Sequence, residues 1–173
     1  VGSVCHGERI TYAVRAGVVG AIAAGTLMAV FLTVRHTRGE EEVGRTELLR
    51  ATVVDRLAPV AAAVAVGWTA CAVVGAGIAV AFVTNGLPVG GSVLFGASAA
   101  AAGVVFTMIG ALAAQVTIHA RGALGIGGLV VAVAWVLRAL GDISGSGLSW
   151  ASPIGWSQAT HPFAGDRWWP LLL

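Results

Sequence analysis

The sequence predicts an all-α protein: a polytopic bundle of transmembrane helices with four complete spans and the start of a fifth. Hydrophobic residues make up 57% of the 173 residues and charged residues only 10%, whereas a soluble domain carries about 25% charged residues. Several apolar runs also reach the roughly 20 residues that a helix needs to cross a bilayer. Backbone groups in lipid must bond within their own segment, so we expect these runs to be helices.

Four runs are predicted to be complete spans, and a fifth run begins as the chain ends. The predicted spans are 16–34, 57–84, 90–118 and 122–140, with a further one starting at 168–173. The first three runs contain no charged side chain. The fourth contains Arg138, whose long side chain can extend to the headgroups near the end of the span. Because the last run stops almost at once, we expect a fragment of a longer protein.

Small residues recur at every fourth position in the first three spans. Such faces allow helix backbones to approach closely in a membrane, so they predict helix–helix contacts. The alternative is chance, because a chain this rich in Ala and Gly contains some repeats of this kind. The three sets are Ala13, Gly17, Ala21, Gly25 and Ala29; Ala63, Gly67, Cys71, Gly75 and Ala79; and Ala99, Gly103, Thr107 and Ala111.

Arginine counts predict the orientation in the membrane, because loops rich in Lys and Arg stay in the cytoplasm. Six of the ten arginines lie in segment 35–56 or at Arg121. We therefore expect segment 35–56 to be cytoplasmic. The N-terminal residues, segment 85–89 and segment 141–167 then lie on the outer side.

The predicted cytoplasmic segment has the charge order of an amphipathic helix. Three acids, Glu40 to Glu42, precede Arg45 and Arg50, and acids before bases suit the helix dipole. Glu41 and Arg45 are also four residues apart in the favourable order. Acids beside the membrane are repelled by anionic lipid, which favours contact with a basic protein surface. The alternative is a solvated loop that only fixes topology.

The predicted outer segment and its flanks are rich in tryptophan, which prefers the headgroup level of a bilayer. Proline and glycine interrupt long helices there, so we expect short interfacial helices that cap the bundle. The alternative is an aromatic anchor with no role in transport. The residues singled out for this cap are Trp150, Pro153, Trp156, Trp168 and Trp169.

Arg138 and Asp142 are four residues apart at the outer end of the fourth span. At that spacing they can form an ion pair, or lie where polar cargo leaves the bundle. Ionisable groups within spans are functional candidates by default. The alternative for Arg138 is a simple anchor at the membrane surface.

Few residues suggest catalysis or metal binding. His119 and His161 have no partner at metal-ligand spacing, and no phosphate-binding GxxxxGK[ST] motif is present. Ser144 and Ser146 fall in an outer loop, unlike the buried nucleophile of an intramembrane serine protease. We therefore expect no catalytic residue, no metal and no membrane enzyme. A net charge of +2 does not suggest nucleic-acid binding.

Two motifs carry a resemblance to a known family. RHTRGEEEVGRTELLRA (35–51) follows the first span, and LSWASPIGWSQATHPFAGDRWWPLLL (148–173) follows a later one. In order and separation they resemble the membrane subunits of actinobacterial ATP-binding-cassette exporters. The subgroup is the type 2 permeases that export polyketide antibiotics, including tetronasin-type transporters. The resemblance runs from about Gly17 to Leu173, with His161 standing where arginine is expected.

The resemblance implies that residues 1–173 are part of the first half of a longer permease that exports antibiotics or other drugs. A separate cytoplasmic ATPase dimer would bind ATP and Mg²⁺, and this chain would bind no cofactor. Segment 35–56 would be the coupling helix that docks on the ATPase through Glu40, Glu41, Glu42, Arg45, Glu47 and Arg50. The other implied partners are the rest of the permease or a second permease subunit, the lipid bilayer, and a hydrophobic or amphiphilic small-molecule cargo. The alternative function is a small stand-alone membrane protein with a structural or assembly role.

Overall fold

A computed structural model describes residue 22 and residues 25–39, 58–145, 147–163 and 167–172. Within these residues the chain is helical and contains no strand. Helix α1 covers residues 25–34 and continues into a single π-helical turn, Arg35–Gly39. The other elements are α2 (Ala58–Thr84), α3 (Val89–Val116), α4 (Ala120–Ser144), a 3₁₀ turn (Gly147–Ala151), α5 (Pro153–Ala159) and a second 3₁₀ turn (Trp169–Leu172).

Three helices among the described residues are long and apolar enough to cross a membrane. They are α2, α3 and α4, with 27, 28 and 25 residues and mean hydropathies of 2.1, 1.9 and 2.1. At a rise of about 1.5 Å per residue, each exceeds the roughly 30 Å of bilayer hydrocarbon. The predicted spans 57–84, 90–118 and 122–140 therefore correspond to real helices with bounds shifted by a few residues.

The predicted count of four complete spans and the start of a fifth is not supported. Eight of the 19 residues in the first predicted span, 16–34, lie outside the described residues, and its end, 25–34, is helical. The residues predicted to open the fifth span form the short 3₁₀ turn Trp169–Leu172 instead of an α-helix. Four residues are too few to cross the bilayer, so this turn is not by itself a span.

Helix α3 lies at the centre of the bundle. Half of its most apolar stretch is buried, against 11% for α2 and 22% for α4. Helix α2 packs along one side of α3, and α4 packs along another. Phe106 and Leu94 of α3 are fully buried and anchor the apolar core.

The contact between α2 and α3 is a seam of small residues. A Cβ atom added at Gly67 would lie 2.6 Å from Cγ2 of Thr107, and one added at Gly103 would lie 2.7 Å from Sγ of Cys71. Gly75 and Gly96 lie against each other's carbonyl oxygens. The repeats predicted on the second and third spans are therefore real packing faces. The repeat on the first span lies largely outside the described residues.

Two short connections join the long helices. Gly86 has a φ of +83°, and the Leu87 amide donates to the Phe82 carbonyl at 3.1 Å, a pattern that ends helices at a left-handed residue. Pro88 then precedes α3. At the opposite end of the bundle, Thr117–His119 links α3 to α4, and the amides of the first turn of α4 donate to the His119 carbonyl.

Helix α1 packs across α3 and α4 through Val30, which is 2% exposed. A Cβ at Gly110 would lie 3.3 Å from Cα of Val30, and a Cβ at Gly127 would meet Cγ1 of the same residue. Both glycines lie in the halves of α3 and α4 that adjoin the Thr117–His119 link. The π-helical turn after α1 therefore lies toward the same end as this link.

Candidate functional site

A polar cluster at the end of α4 is the first candidate site. Nη2 of Arg138 lies 2.7 Å from Oδ2 of Asp142, and Nε of Arg138 donates to Oε1 of Gln158 on α5 at 2.6 Å. The guanidinium carbon also lies 5.6 Å from the centre of the Trp135 ring, within the range of a cation–π contact. The ion pair that the four-residue spacing allows is thus present, and Arg138 also joins α4 to α5.

The two side chains of this ion pair differ in their exposure to the surroundings. The Arg138 side chain is 17% exposed and that of Asp142 is 51% exposed. A pair with one half-exposed member contributes at most about 1 kcal/mol to stability. The hydrogen bond to Gln158 involves a charged donor and a more buried setting, and bonds of this kind are typically stronger. The connection to α5, rather than the ion pair, is therefore the main structural role of Arg138.

Residues 147–163 and 167–172 form a cap over this end of the bundle. The cap begins where Gly145 ends α4 in the left-handed conformation, with a φ of +60°. Ser149 of the cap lies between two glycines: a Cβ at Gly141 would meet its amide nitrogen, and a Cβ at Gly155 would meet its carbonyl oxygen. The first 3₁₀ turn is therefore wedged between α4 and α5, and neither glycine can carry a side chain without moving backbone.

Aromatic residues hold the cap together. The rings of Trp150 and Trp169 stack with centres 5.3 Å apart and an interplanar angle of 17°. Nε1 of Trp156 donates to the Trp150 carbonyl at 2.7 Å, and Pro153 occupies the first turn of α5. Trp168 is half-exposed. The structure thus brings together three of the five residues singled out from the sequence for the cap, namely Trp150, Trp156 and Trp169.

The cap also reaches the turn between α2 and α3. Phe163 has a φ of +69°, and its ring fills the space beside Gly91, where a Cβ would meet the ring. The Phe163 ring centre lies 6.2 Å from that of Phe82, which in turn stacks on Phe95 at 5.2 Å. The α2–α3 turn and the cap therefore share one end of the bundle, as the predicted sidedness requires.

The predicted coupling segment is described only at its start. Arg35 and His36 are exposed, and Thr37 is buried, with its Oγ1 donating to the Thr33 carbonyl at 2.8 Å. The turn that carries them packs against α2, α3 and α4. All six residues predicted to dock on the ATPase lie outside the described residues: Glu40, Glu41, Glu42, Arg45, Glu47 and Arg50.

Sequence reasoning missed three participants in these contacts. Trp135 precedes Arg138 by three residues, a helical spacing that could have signalled their contact. Gln158 is twenty residues from Arg138, and no local pattern connects them. The contact of Phe163 with Gly91 is equally non-local. Among the described residues, no group of three His, Cys, Asp or Glu side chains is placed to hold a metal ion.

Comparison with known proteins gives one informative relative. No protein-family profile matches the chain. The chain is similar to the multidrug efflux system permease protein Rv1217c of Mycobacterium tuberculosis, with 44% identity over 163 residues. The match covers 91% of this chain and 30% of that permease, so the chain spans less than a third of the relative's length. Together with the three apolar helices, this similarity identifies a multi-pass membrane protein.

Proposed function

We propose that the chain is a membrane-spanning part of the permease of an ATP-driven efflux system for hydrophobic or amphiphilic compounds. The observation that carries this proposal is the 44% identity to a multidrug efflux permease over nearly the whole chain. The helical structure supports it, because α2, α3 and α4 have the length and hydropathy of membrane spans. Antibiotic export of the tetronasin type is the narrower form of the proposal and is supported by the two sequence motifs.

In this proposal the chain hydrolyses no nucleotide itself. A cytoplasmic ATPase dimer binds ATP and Mg²⁺ and docks on segment 35–56, which acts as the coupling helix. The charge order from Glu40 to Arg50 supports this role, since acids at the start and bases at the end stabilise a helix. A coupling helix must stay folded while it passes movement of the ATPase to the membrane spans. The π-helical turn Arg35–Gly39 supports it as well, because this turn packs against three helices and can pass a displacement to all of them.

The rest of the predicted architecture completes the proposal. Span 16–34 crosses the membrane as the first span of this chain, and a further span follows Trp168 in the longer protein. The cap covers the outer end of the bundle, where Arg138 and Asp142 lie beside the exit for cargo. The other part of the permease, or a second subunit, packs on the helix faces that this chain leaves exposed.

Charge reversal in the coupling segment tests this function. The variants are Glu41→Arg, Arg45→Glu and their combination, in the protein at its natural length. The combined variant keeps the intrahelical pair, which contributes only about 0.2–0.5 kcal/mol. Each single variant and the combination are expected to lose copurification with the ATPase and ATP-dependent dye efflux, because the partner surface sees reversed charges. Arg167→Glu, in the cap, is the matched control and should retain both.

Two results would speak against the coupling role. Unchanged copurification and unchanged ATP turnover in both single variants would show that Glu41 and Arg45 do not meet the ATPase. Full recovery of copurification and dye efflux in the combined variant would show that the two charges act only by stabilising the helix. Dye efflux that does not depend on this protein at all would overturn the permease function itself.

A further inference from the structure

The cap is joined to α4 by contacts that do not open easily. Ser149 of the first 3₁₀ turn lies so close to α4 that a Cβ added at Gly141 would be 2.9 Å from the Cα of Ser149. Because backbone is packed against backbone here, no change of side-chain rotamer can separate the two. Nε of Arg138 also donates to Oε1 of Gln158 at 2.6 Å, and hydrogen bonds with a charged donor are roughly twice as strong as neutral ones. The cap and α4 therefore form one rigid unit.

The cap meets the other side of the bundle, the hairpin of α2 and α3, through side chains. A Cβ added at Gly91 of α3 would lie 2.7 Å from Cε1 of Phe163, and the Phe163 ring centre lies 6.2 Å from that of Phe82 on α2. Phe163 is 41% exposed, so its ring can leave this position without passing through the core. A cavity of about 90 Å³ also lies between the cap and α3, with Ser98 and Trp156 in its lining. The cap is thus packed less tightly on this side than on α4.

Two residues at this contact hold a backbone conformation that side chains disfavour. His161 has a φ of +43° and Phe163 a φ of +69°, both in the left-handed region. For a residue with a Cβ atom this region is disfavoured by roughly tenfold, and bulky residues rarely occupy it. Backbone in such a conformation persists only where surrounding contacts hold it in place. The contacts of the Phe163 ring with Gly91 and Phe82 therefore hold a strained segment against the hairpin.

We propose that Phe163 is a releasable latch, which closes the cap on the α2–α3 hairpin and lets the cap move with α4 when its ring leaves the space beside Gly91. This inference rests on the proposed function, because the ATPase cycle supplies the movement that opens the latch. The strain assists release: the contacts with Gly91 and Phe82 are lost, but His161 and Phe163 return to a relaxed backbone. The free-energy difference between the closed and released states is therefore smaller than the contacts alone would make it.

Distances between spin labels test the latch in the natural-length permease bound to its ATPase. In a background without cysteine, Asn85→Cys marks the hairpin and Arg167→Cys marks the cap, where the Arg167 amide donates to the carbonyl of the buried Thr160 at 2.9 Å. These two labels are the cap–hairpin pair. Ile143→Cys with Arg167→Cys is the cap–α4 control pair, because Ile143 lies near the end of α4 and is 84% exposed. ATP with vanadate is expected to add a second, longer distance to the cap–hairpin pair and to leave the cap–α4 distance unchanged.

Substitutions from both sides of the contact should release the latch without nucleotide. Phe163→Ala removes the ring, and Gly91→Ala places a Cβ where the ring lies. Each is expected to produce the longer cap–hairpin distance in the absence of ATP. The double variant should produce no more of it than the stronger single variant, because both changes break the same contact. Gly77→Ala is the matched control, since an added Cβ there meets nothing within 4 Å.

A pair of substitutions at His161 tests the strain without touching the Phe163 ring. Glycine adopts the left-handed conformation freely, whereas alanine keeps the full cost of its Cβ atom. With ATP and vanadate, the ratio of closed to released latch should be about tenfold higher in His161→Gly than in His161→Ala. Dye efflux should also be slower in His161→Gly, because a latch that opens less often delays each cycle.

The outcomes distinguish this inference from the function on which it rests. A single cap–hairpin distance in every nucleotide state would overturn the latch while ATP-dependent efflux continued. A change of the same size in the cap–α4 distance would overturn it as well, because the cap would then not move with α4. Equal ratios in His161→Gly and His161→Ala would contradict the role of strain. A longer cap–hairpin distance in Phe163→Ala but not in Gly77→Ala, in a protein without any ATP-dependent efflux, would support the latch and contradict the permease function.

Discussion

Arg138 makes more contacts than a charged residue that only anchors the end of a membrane span at the surface. A simple anchor extends its side chain toward water, whereas this guanidinium is mostly buried and contacts Asp142, Gln158 and Trp135. The planar fork of arginine allows separate nitrogens to serve two partners at once. One side chain therefore fixes the distance between α4 and the cap.

A double-mutant cycle measures that connection. Arg138→Met and Gln158→Leu are each expected to lower stability, and the double variant should lose less than their sum. The expected coupling is about 1.5–3 kcal/mol, the range for hydrogen bonds to charged groups. Thermal unfolding in detergent provides the measurement. Asp142→Asn is the control and should cost less than about 1 kcal/mol because Asp142 is half-exposed. Additive effects of the two single changes would contradict the proposed link.

Individual contacts could be predicted from the sequence only where a helical spacing joins the partners. Arg138 and Asp142 are four residues apart, and their ion pair follows from that spacing. The hydrogen bond from Arg138 to Gln158 depends on how the chain turns after Gly145, and the contact between Phe163 and Gly91 depends on how it returns. Both involve left-handed residues, Gly145 and Phe163. The second of these is not a glycine, so no local signal marks it.

Helices α2 and α3 associate through shape rather than through apolar character. Both are apolar on every side, and lipid solvates such surfaces as well as another helix does. What distinguishes the contact is the close approach of backbone at Gly75 and Gly96, and of Gly67 and Gly103 to side chains of the opposite helix. Close packing of this kind gains dispersion energy that lipid tails cannot match.

A comparison of two glycines on α2 tests this explanation. A side chain at Gly75 meets the Gly96 carbonyl and the Cβ of Ala100, whereas one at Gly77 meets nothing within 4 Å. Gly75→Leu is expected to destabilise the protein by about 1–3 kcal/mol or more, because backbone must move. Gly77→Leu should be neutral or slightly stabilising, since leucine favours helix over glycine by up to about 1 kcal/mol. Equal melting temperatures of the two variants would contradict the explanation that close packing of small residues holds α2 and α3 together.

The sequence predicted the long helices well and their ends less well. The predicted span 57–84 corresponds to Ala58–Thr84, because Pro88 and Gly86 follow it closely. The helix that contains the predicted span 122–140 is longer than that span, since α4 runs from Ala120 to Ser144. The charge of Arg138 suggested that the span ends close to it. The helix continues past Arg138, whose guanidinium contacts Asp142 and Gln158. Residues 168–173, predicted to open a fifth span, are described only as the 3₁₀ turn Trp169–Leu172.

The bundle has two chemically different ends. The cap and the Asn85–Pro88 turn share one end, and the Arg35–Gly39 turn lies toward the Thr117–His119 link at the other. Tryptophan rings gather at the first end, whereas the described start of the arginine-rich segment, Arg35–Gly39, lies toward the second. This arrangement is compatible with the orientation predicted from arginine counts, in which segments 85–89 and 141–167 share the outer side. The orientation itself can be tested by labelling.

Cysteine scanning assigns the two ends to the two sides of the membrane. In a background without cysteine, Asn85→Cys and Arg167→Cys are expected to react with an impermeant maleimide added to intact cells. His119→Cys should react only after the cells are permeabilised, because positively charged loops stay in the cytoplasm. All three positions are exposed, so differences in reactivity report sidedness. Reversed labelling would place the coupling segment outside and rule out docking to a cytoplasmic ATPase.

The contact between Phe163 and Gly91 also sets an order of events during synthesis. Helices α2 and α3 are joined by a tight turn and can close their seam as soon as both have left the ribosome. The space beside Gly91 then stays empty until Phe163 emerges, 47 residues after the end of α3, or roughly 2 to 9 seconds later at about 5–20 residues per second. The α2–α3 hairpin therefore has an unfilled space beside Gly91 at one end, and Phe163 fills it only after α4 has been inserted.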